Sequence, residues 1–207
     1  PASDISCGIP DEFAGWGINI TAEVNGYGLF LESDDYNYLG VDANASDGFD
    51  SGGLDVPEPF TPPGNWVSFY FPHPEWLALY EDYTQDVRFM RDLSDELMIW
   101  DAEVMSNMSG DAVITFDFVG DAGGYPVYAM INDEFILINN GSSIGYLSTE
   151  YEIQEVTIVV GNITPQAPTG LIAEQDDNDG THILLNWDPS EPCCGSIESR
   201  YPPSDYY

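Results

Sequence analysis

Apolar residues recur at every second position, and this period restricts the fold more than any other property of the chain. Between residues 16 and 24, Trp16, Ile18, Ile20 and Ala22 fall on one side and Gly17, Asn19, Thr21 and Glu23 on the other. Such alternation places one side of an extended strand on a core and the other in water. It returns in Tyr27-Leu29-Leu31, Trp66 to Phe71, Val87-Phe89, Met98 to Val104, Ile114 to Phe118, Tyr125 to Ile131, Phe135 to Ile138 and Val156 to Val160. Turn formers separate these runs: Asn25-Gly26, Ser109-Gly110, Gly120 to Gly124, Asn132-Asp133 and Asn139 to Ser143. Only Glu75 to Tyr83, with Trp76, Leu79, Tyr80 and Tyr83 on one face, offers a helical turn or two. Short strands punctuated in this way predict an all-β fold. The form expected is an antiparallel β-sandwich, jelly-roll or immunoglobulin-like, with a C-terminal strand pair and an extended tail.

The sandwich is expected over residues 12–163, after an N-terminal extension at 1–11. Residues 42–65 interrupt it: they are too rich in Pro, Gly and Asp for strand, and loops of this length are usually functional or disordered. The Pro-bounded stretch 162–170 reads as a linker. Residues 164–207 then comprise linker, strand segment and aromatic tail, too little to bury a core of their own and suited to docking on a neighbouring subunit.

Charge removes several classes of partner. The 207 residues include 37 Asp or Glu against three basic side chains, Arg88, Arg91 and Arg200, for a formal charge of -34, and there is no lysine. Nucleic acids and anionic membrane surfaces are repelled by such a chain, since binding them takes clustered Lys and Arg. No run approaches the ~20 apolar residues of a membrane span, so no membrane insertion is expected. Disorder does not explain the acidity, because 43% of residues are hydrophobic and supply a core. Without lysine, isopeptide cross-links, sortase-type joining, Schiff-base catalysis and the lysine-containing phosphate loop are all closed off. Arg88 and Arg91, set among so many carboxylates, are expected as structural clamps. His73 lies between prolines and His182 at a strand start, neither in a nucleophile motif, so no catalytic residue is assigned and no enzyme is expected.

Residues 167–192, APTGLIAEQDDNDGTHILLNWDPSEP, resemble the opening of a fibronectin type III domain. Ala167-Pro168 leads a strand through Leu171 and Ala173, and His182 to Trp187 supplies a second strand with the core Trp. Only about two of some seven strands are covered. The central region resembles a module of large secreted bacterial surface proteins, through Ala45 to Asp50, Asp55 to Pro59, Tyr70-Phe71-Pro72 to Trp76, and Asp86-Val87-Arg88. That likeness implies secretion, a bacterial cell-surface or extracellular setting and a structural or adhesive role, and carries over no catalytic residue.

Other features fit that setting. The chain begins at Pro1 rather than Met and reads as a processed one. Cys7, Cys193 and Cys194 do not have zinc-ligand spacing; a disulfide between Cys7 and one of the C-terminal pair, within or between subunits, is the expectation, with three idle thiols as the plain reading. Sequons at Asn19, Asn44, Asn107, Asn140 and Asn162 are glycosylation candidates. Calcium is the one cofactor the residues suggest. Asp42, Asn44, Ser46, Asp47, Asp50 and Asp55 offer hard oxygen ligands in one loop, and Asp176, Asn178 and Asp179 in another, although solvated turns use the same residue types. The preferred reading is a structural subunit of an extracellular filament or surface layer, a homopolymer joined head-to-tail by strand addition through Leu171, Ile183, Leu185 and Trp187. A calcium-dependent adhesin or carbohydrate-binding module of a larger secreted protein, with glycans as partner, is the alternative. A secreted hydrolase using a carboxylate pair comes third.

Overall fold

The period-two runs become strands whose buried positions alternate as the sequence does. In β1 (Trp16–Gly26), Ile18, Ile20, Ala22 and Val24 are fully buried while Asn19 and Asn25 are exposed. The computed structural model describes residues 15–163 except 29, 77–79, 94, 95 and 123, and the strand backbones at 169–175 and 183–188. After β1 come β2 (Phe30–Asp42), β3 (Val56–Pro57), β4 (Val67–Pro72), β5 (Asp82–Phe89), β6 (Met98–Ser106) and β7 (Gly110–Val119). Then follow β8 (Val127–Ile131), β9 (Glu134–Ile138), β10 (Ser142–Ser148) and β11 (Gln154–Val160). The fold is all-β, with no helix among the described residues.

These strands form one sheet in the order β10-β7-β1-β2-β5-β4-β6-β11-β8-β9, with β3 attached to β5 off this path. The sheet is mixed and nearly barrel-shaped. Strand β4 makes the corner: Val67 to Tyr70 pair with β6, whereas Phe71 and Pro72 pair with β5. The two end strands, β9 and β10, are consecutive in the chain yet not paired, so the sheet stops short of closure. Inside lie Ile18, Ile20, Leu39, Phe69, Phe71, Trp100, Phe116 and Ile158, with Trp16 and Trp100 edge to face at 6.0 Å. Each such side chain contributes roughly 1.5–3 kcal/mol by leaving water.

Several expectations are corrected. The sheet is not wholly antiparallel: β2 and β5 run parallel, with Leu39 opposite Asp86. A parallel pair needs a crossover, and residues 43–81 supply it. The strands join into one barrel-like sheet through β4, which pairs with both β5 and β6. The segment 42–65 is not strand-free, since β2 runs through Asp42 and β3 lies within it. Ser142 to Ser148 form β10, which takes in the end of the turn expected at Asn139 to Ser143 and residues 144–148, where no strand was expected. Asn25 and Gly26 finish β1, and the turn falls on Tyr27 and Gly28, at φ 50° and 73°. Tyr83 of the helical window belongs to β5, and residues 77–79 lie outside the described residues. Asn132 and Asp133 do make the expected turn. Both have positive φ, 51° and 62°, as a two-residue hairpin between right-twisted strands requires.

One pair of glycines fixes the outer side of the sheet. Gly17 and Gly40 face each other across β1 and β2, and the ring of Tyr38 lies over both. A Cβ on Gly17 would sit 1.9 Å from Tyr38 Oη and one on Gly40 2.6 Å from it, so only glycine fits beneath the ring.

The chain divides into two compact units, Pro1–Gly161 and Asn162–Tyr207. The second holds a two-stranded antiparallel sheet, β12 (Thr169–Gln175) and β13 (Ile183–Asp188). Leu171 is on β12, and Ile183, Leu185 and Trp187 are on β13. The three cysteines, His182, Arg200, the Asp176–Asn178–Asp179 cluster and the aromatic tail lie outside the described residues.

Candidate functional site

Strand β5 carries charge into the interior. Asp86 stands opposite the core residue Leu39 and is 0% exposed. A carboxylate there is costly unless paired and hydrogen-bonded. Arg88, two positions along the same strand, donates to it from Nε at 3.1 and 3.2 Å and from Nη2 at 2.8 Å. The remaining terminal nitrogen, Nη1, donates to the Ile99 carbonyl at 2.6 Å, and the guanidinium lies 5.0 Å from the Trp100 ring centre. The expected arginine clamp is therefore present, and its partner is a buried aspartate.

His73, just past β4, completes the network. Its Nε2 lies 3.0 Å from Asp86 Oδ2 and its Nδ1 2.7 Å from Glu75 Oε1. The ring stacks flat on Trp76 at 3.6 Å, and Trp76 meets Tyr83 edge-on at 4.8 Å. Burial works against the charged imidazolium, but the two carboxylate hydrogen bonds outweigh it and hold the His73 pKa above its ordinary value. Burial likewise opposes charge on Asp86, yet His73 and Arg88 together keep its carboxyl below the usual range. Both ring nitrogens are committed to carboxylates, so this histidine has no free nitrogen with which to act as a general base. The arrangement is a structural ion network joining β4, β5 and β6.

The acidic loop folds back over β5. Asp55 accepts from the Val87 amide at 3.1 Å and from the Asp50 amide at 2.6 Å. Asp50 accepts from the amide and hydroxyl of Ser46 at 2.5 and 3.0 Å, and Asp42 from the amide and side chain of Asn44 at 2.7 and 3.0 Å. Asp47 is ion-paired with Arg91. Ala45 packs with Tyr38 and Val87, and Phe49 meets Trp76 and Tyr83. The loop oxygens are thus turned towards amides, hydroxyls and an arginine, as in Asx turns. Among the described residues no three His, Cys, Asp or Glu side chains converge as metal ligands. Burial pushes the Asp55 carboxyl up to about 6, against the pull of its two amide donors.

A second acidic group lies where the loop crosses β4, and nothing in the sequence marked it. Ser68 and Tyr70 point away from the core that holds Phe69 and Phe71. Ser68 Oγ donates to Glu58 Oε1 at 2.5 Å, while Glu58 Oε2 is buried without a hydrogen-bond partner. Asp34 accepts from the Phe69 amide at 2.8 Å, and Tyr70 donates to Glu103 at 2.8 Å. Burial, with Asp34 and Asp82 nearby, pushes the Glu58 carboxyl up to about 7 even though Ser68 pulls it down. Three carboxyl groups held above their ordinary values, those of Asp34, Glu58 and Asp82, gather here, a signal that only spatial proximity creates.

The sequons separate by environment. Asn107 uses its whole amide, accepting from the Trp66 amide at 2.8 Å and donating to the Gly64 carbonyl at 2.8 Å. Asn44 is tied to Asp42. Asn19, Asn140 and Asn162 are exposed, Asn140 accepting from the Phe118 amide with its oxygen.

Compared with protein-family models, curated proteins and solved structures, the chain matches none.

Proposed function

We propose that the protein is a structural subunit of an extracellular filament or surface layer, assembled head-to-tail by strand addition. The observation that carries this reading is the placement of charge relative to the sheet edges. Residues 122–149 contain only Asp133 and Glu134 as acids and no base, and they include both end strands, β9 and β10. Soluble proteins ordinarily guard such edges with charge, proline or a covering element. Here β9 ends the sheet with Phe135 and Leu137 at 47% and 54% exposure. In a chain of charge -34, copies meet at least electrostatic cost along that edge. A strand of β12–β13 from the next copy is the proposed donor, giving a contact that does not close on itself.

Within the same proposal the body is a jelly-roll variant bent at the β4–β5 corner. The fibronectin-like segment serves as the donor, and a disulfide from Cys193 or Cys194 to Cys7 of the neighbour locks the joint. Electron microscopy of concentrated protein tests the assembly, with non-reducing electrophoresis for the disulfide. Fibres or sheets are expected. Dispersed monomers at high concentration and high salt, where repulsion is screened, would defeat the proposal.

A further inference from the structure

We propose that Glu58 is a proton-operated latch, which when neutral holds residues 56–60 against β4 and β5 and when ionised is driven off by the carboxylates around it. The inference is independent of assembly and rests on how this crossing is built. Backbone contacts bring the segment in: Val56 and Pro57 pair with Gln85 and Tyr83, and the Glu58 amide donates to the Asp82 carbonyl at 2.9 Å. The side chain then reaches Ser68, its one hydrogen-bond donor among the described residues, with Oε2 enclosed and unpaired there.

Among the described residues, the elements packed on that carboxyl present acids or neutral groups. Asp34 comes from β2 and Asp82 from β5, and both act on Glu58 directly. From β4 come Ser68 and Tyr70, and from β6 Glu103, which acts on Asp82 and Tyr70. Asp35 stands beside Asp34 and Glu81 beside Asp82. The nearest described cations are spent elsewhere, Arg88 and His73 on Asp86 and Arg91 on Asp47. A carboxylate in that position has no counter-ion and half its acceptor capacity unmet, whereas the neutral acid removes the repulsion and gains a donor.

The direction follows from linkage. The docked segment binds the Glu58 proton more tightly than the released one, since its carboxyl is raised to about 7. Docking is therefore strongest below the ordinary glutamate range and is lost as pH rises through about 7.

Amide hydrogen exchange on the whole chain reads the latch directly at the Glu58 N–H. After correction for the intrinsic rate, its protection is expected to fall by about tenfold to a hundredfold from pH 5.5 to pH 8.5, while the core amide of Ile158 holds. In Glu58→Gln, which keeps the Ser68 partner but cannot ionise, the fall disappears. Ser68→Ala removes the donor that pulls the docked Glu58 carboxyl down, so the fall is expected to grow larger and to extend to higher pH; measured on an intact fold, it provides a second reading if Glu58→Gln does not fold. Asp55→Asn keeps the fall. An unchanged wild-type protection factor overturns the proposal. So does a fall shared equally by Ile158, or one that Asp55→Asn removes and Glu58→Gln does not.

Discussion

Replacing Arg88 by Met retains most of the apolar stem beside Trp100 and deletes the guanidinium that neutralises Asp86. Asp86, 0% exposed in the wild type, then keeps His73 as its one ionic partner among the described residues, while the Ile99 carbonyl loses the guanidinium donor. Removing one partner from a buried ion pair costs about 3–5 kcal/mol, because the orphaned charge has already surrendered its water. For a body of this size that corresponds to a fall in Tm of about 10 °C. Urea unfolding followed by tryptophan fluorescence measures the loss, and Trp100, beneath the guanidinium, reports on the site itself. The companion Asp86→Leu/Arg88→Met removes both charges and is expected to recover most of the deficit. The pH dependence supplies a further check. His73 has a raised pKa, so its contribution is complete below about 6.5 and is lost as pH rises through the folded-state value. With Arg88 gone, His73 is the remaining cation, and the deficit of Arg88→Met widens on the alkaline side. A cost under about 1 kcal/mol, or a double variant no better than the single one, would refute the reasoning.

Three further outcomes are expected. Gly17→Ala forces a methyl into the Tyr38 ring and destabilises by about 2 kcal/mol or more, whereas Gly17→Ala/Tyr38→Ala relieves the clash; thermal melts of the two variants decide. Wild-type Tm falls from pH 5.5 to pH 8.5 by roughly 3 °C or more, since Glu58, Asp55 and His73 all bind protons more tightly in the folded state; a flat profile by calorimetry counts against all three assignments. If calcium binds the first loop, Asp42, Asp50 and Asp55 must exchange their present donors for the ion, so millimolar calcium raises Tm and Asp50→Asn abolishes the rise. A melt identical in calcium and EDTA removes the ion from the account.

The strands legible in the sequence are those with one wet and one dry face. In β6, Met98, Trp100, Ala102 and Val104 are buried, with Asp101 exposed between them, and the alternation translates directly into sides of a sheet. Where both faces are covered, the signal fails. Strand β5 buries Tyr83 and Val87 as well as Thr84 and Asp86, because the crossover loop lies over it, so its polar residues carry no mark of burial. Strand β10 was hidden by Ser142, Ser143 and Gly145, which serve turns and edge strands equally. The parallel pairing of β2 with β5 is a matter of chain path, to which periodicity is blind. Arg88 was readable as a clamp because a cation among so many acids must be paired. Its partner was not, since 37 acids make any one of them anonymous. His73, placed between prolines, carries no mark of its network, because Asp86, one of the two carboxylates that hold it, lies on another strand.

The scarcity of basic residues also governs how the protein meets proteases. Trypsin cuts after Lys or Arg, and within the described residues that leaves Arg88 and Arg91. Arg88 is woven into β5 with its head group engaged by Asp86 and Ile99, so its peptide bond reaches an enzyme only when the strand leaves the sheet. Arg91 lies beyond the strand, where a smaller excursion that breaks its pairing with Asp47 suffices. Two scissile bonds three residues apart thus report on different events, one on loss of the whole sheet and the other on motion of its margin. Under a trypsin-like protease, the survival of the described body is set by these two openings.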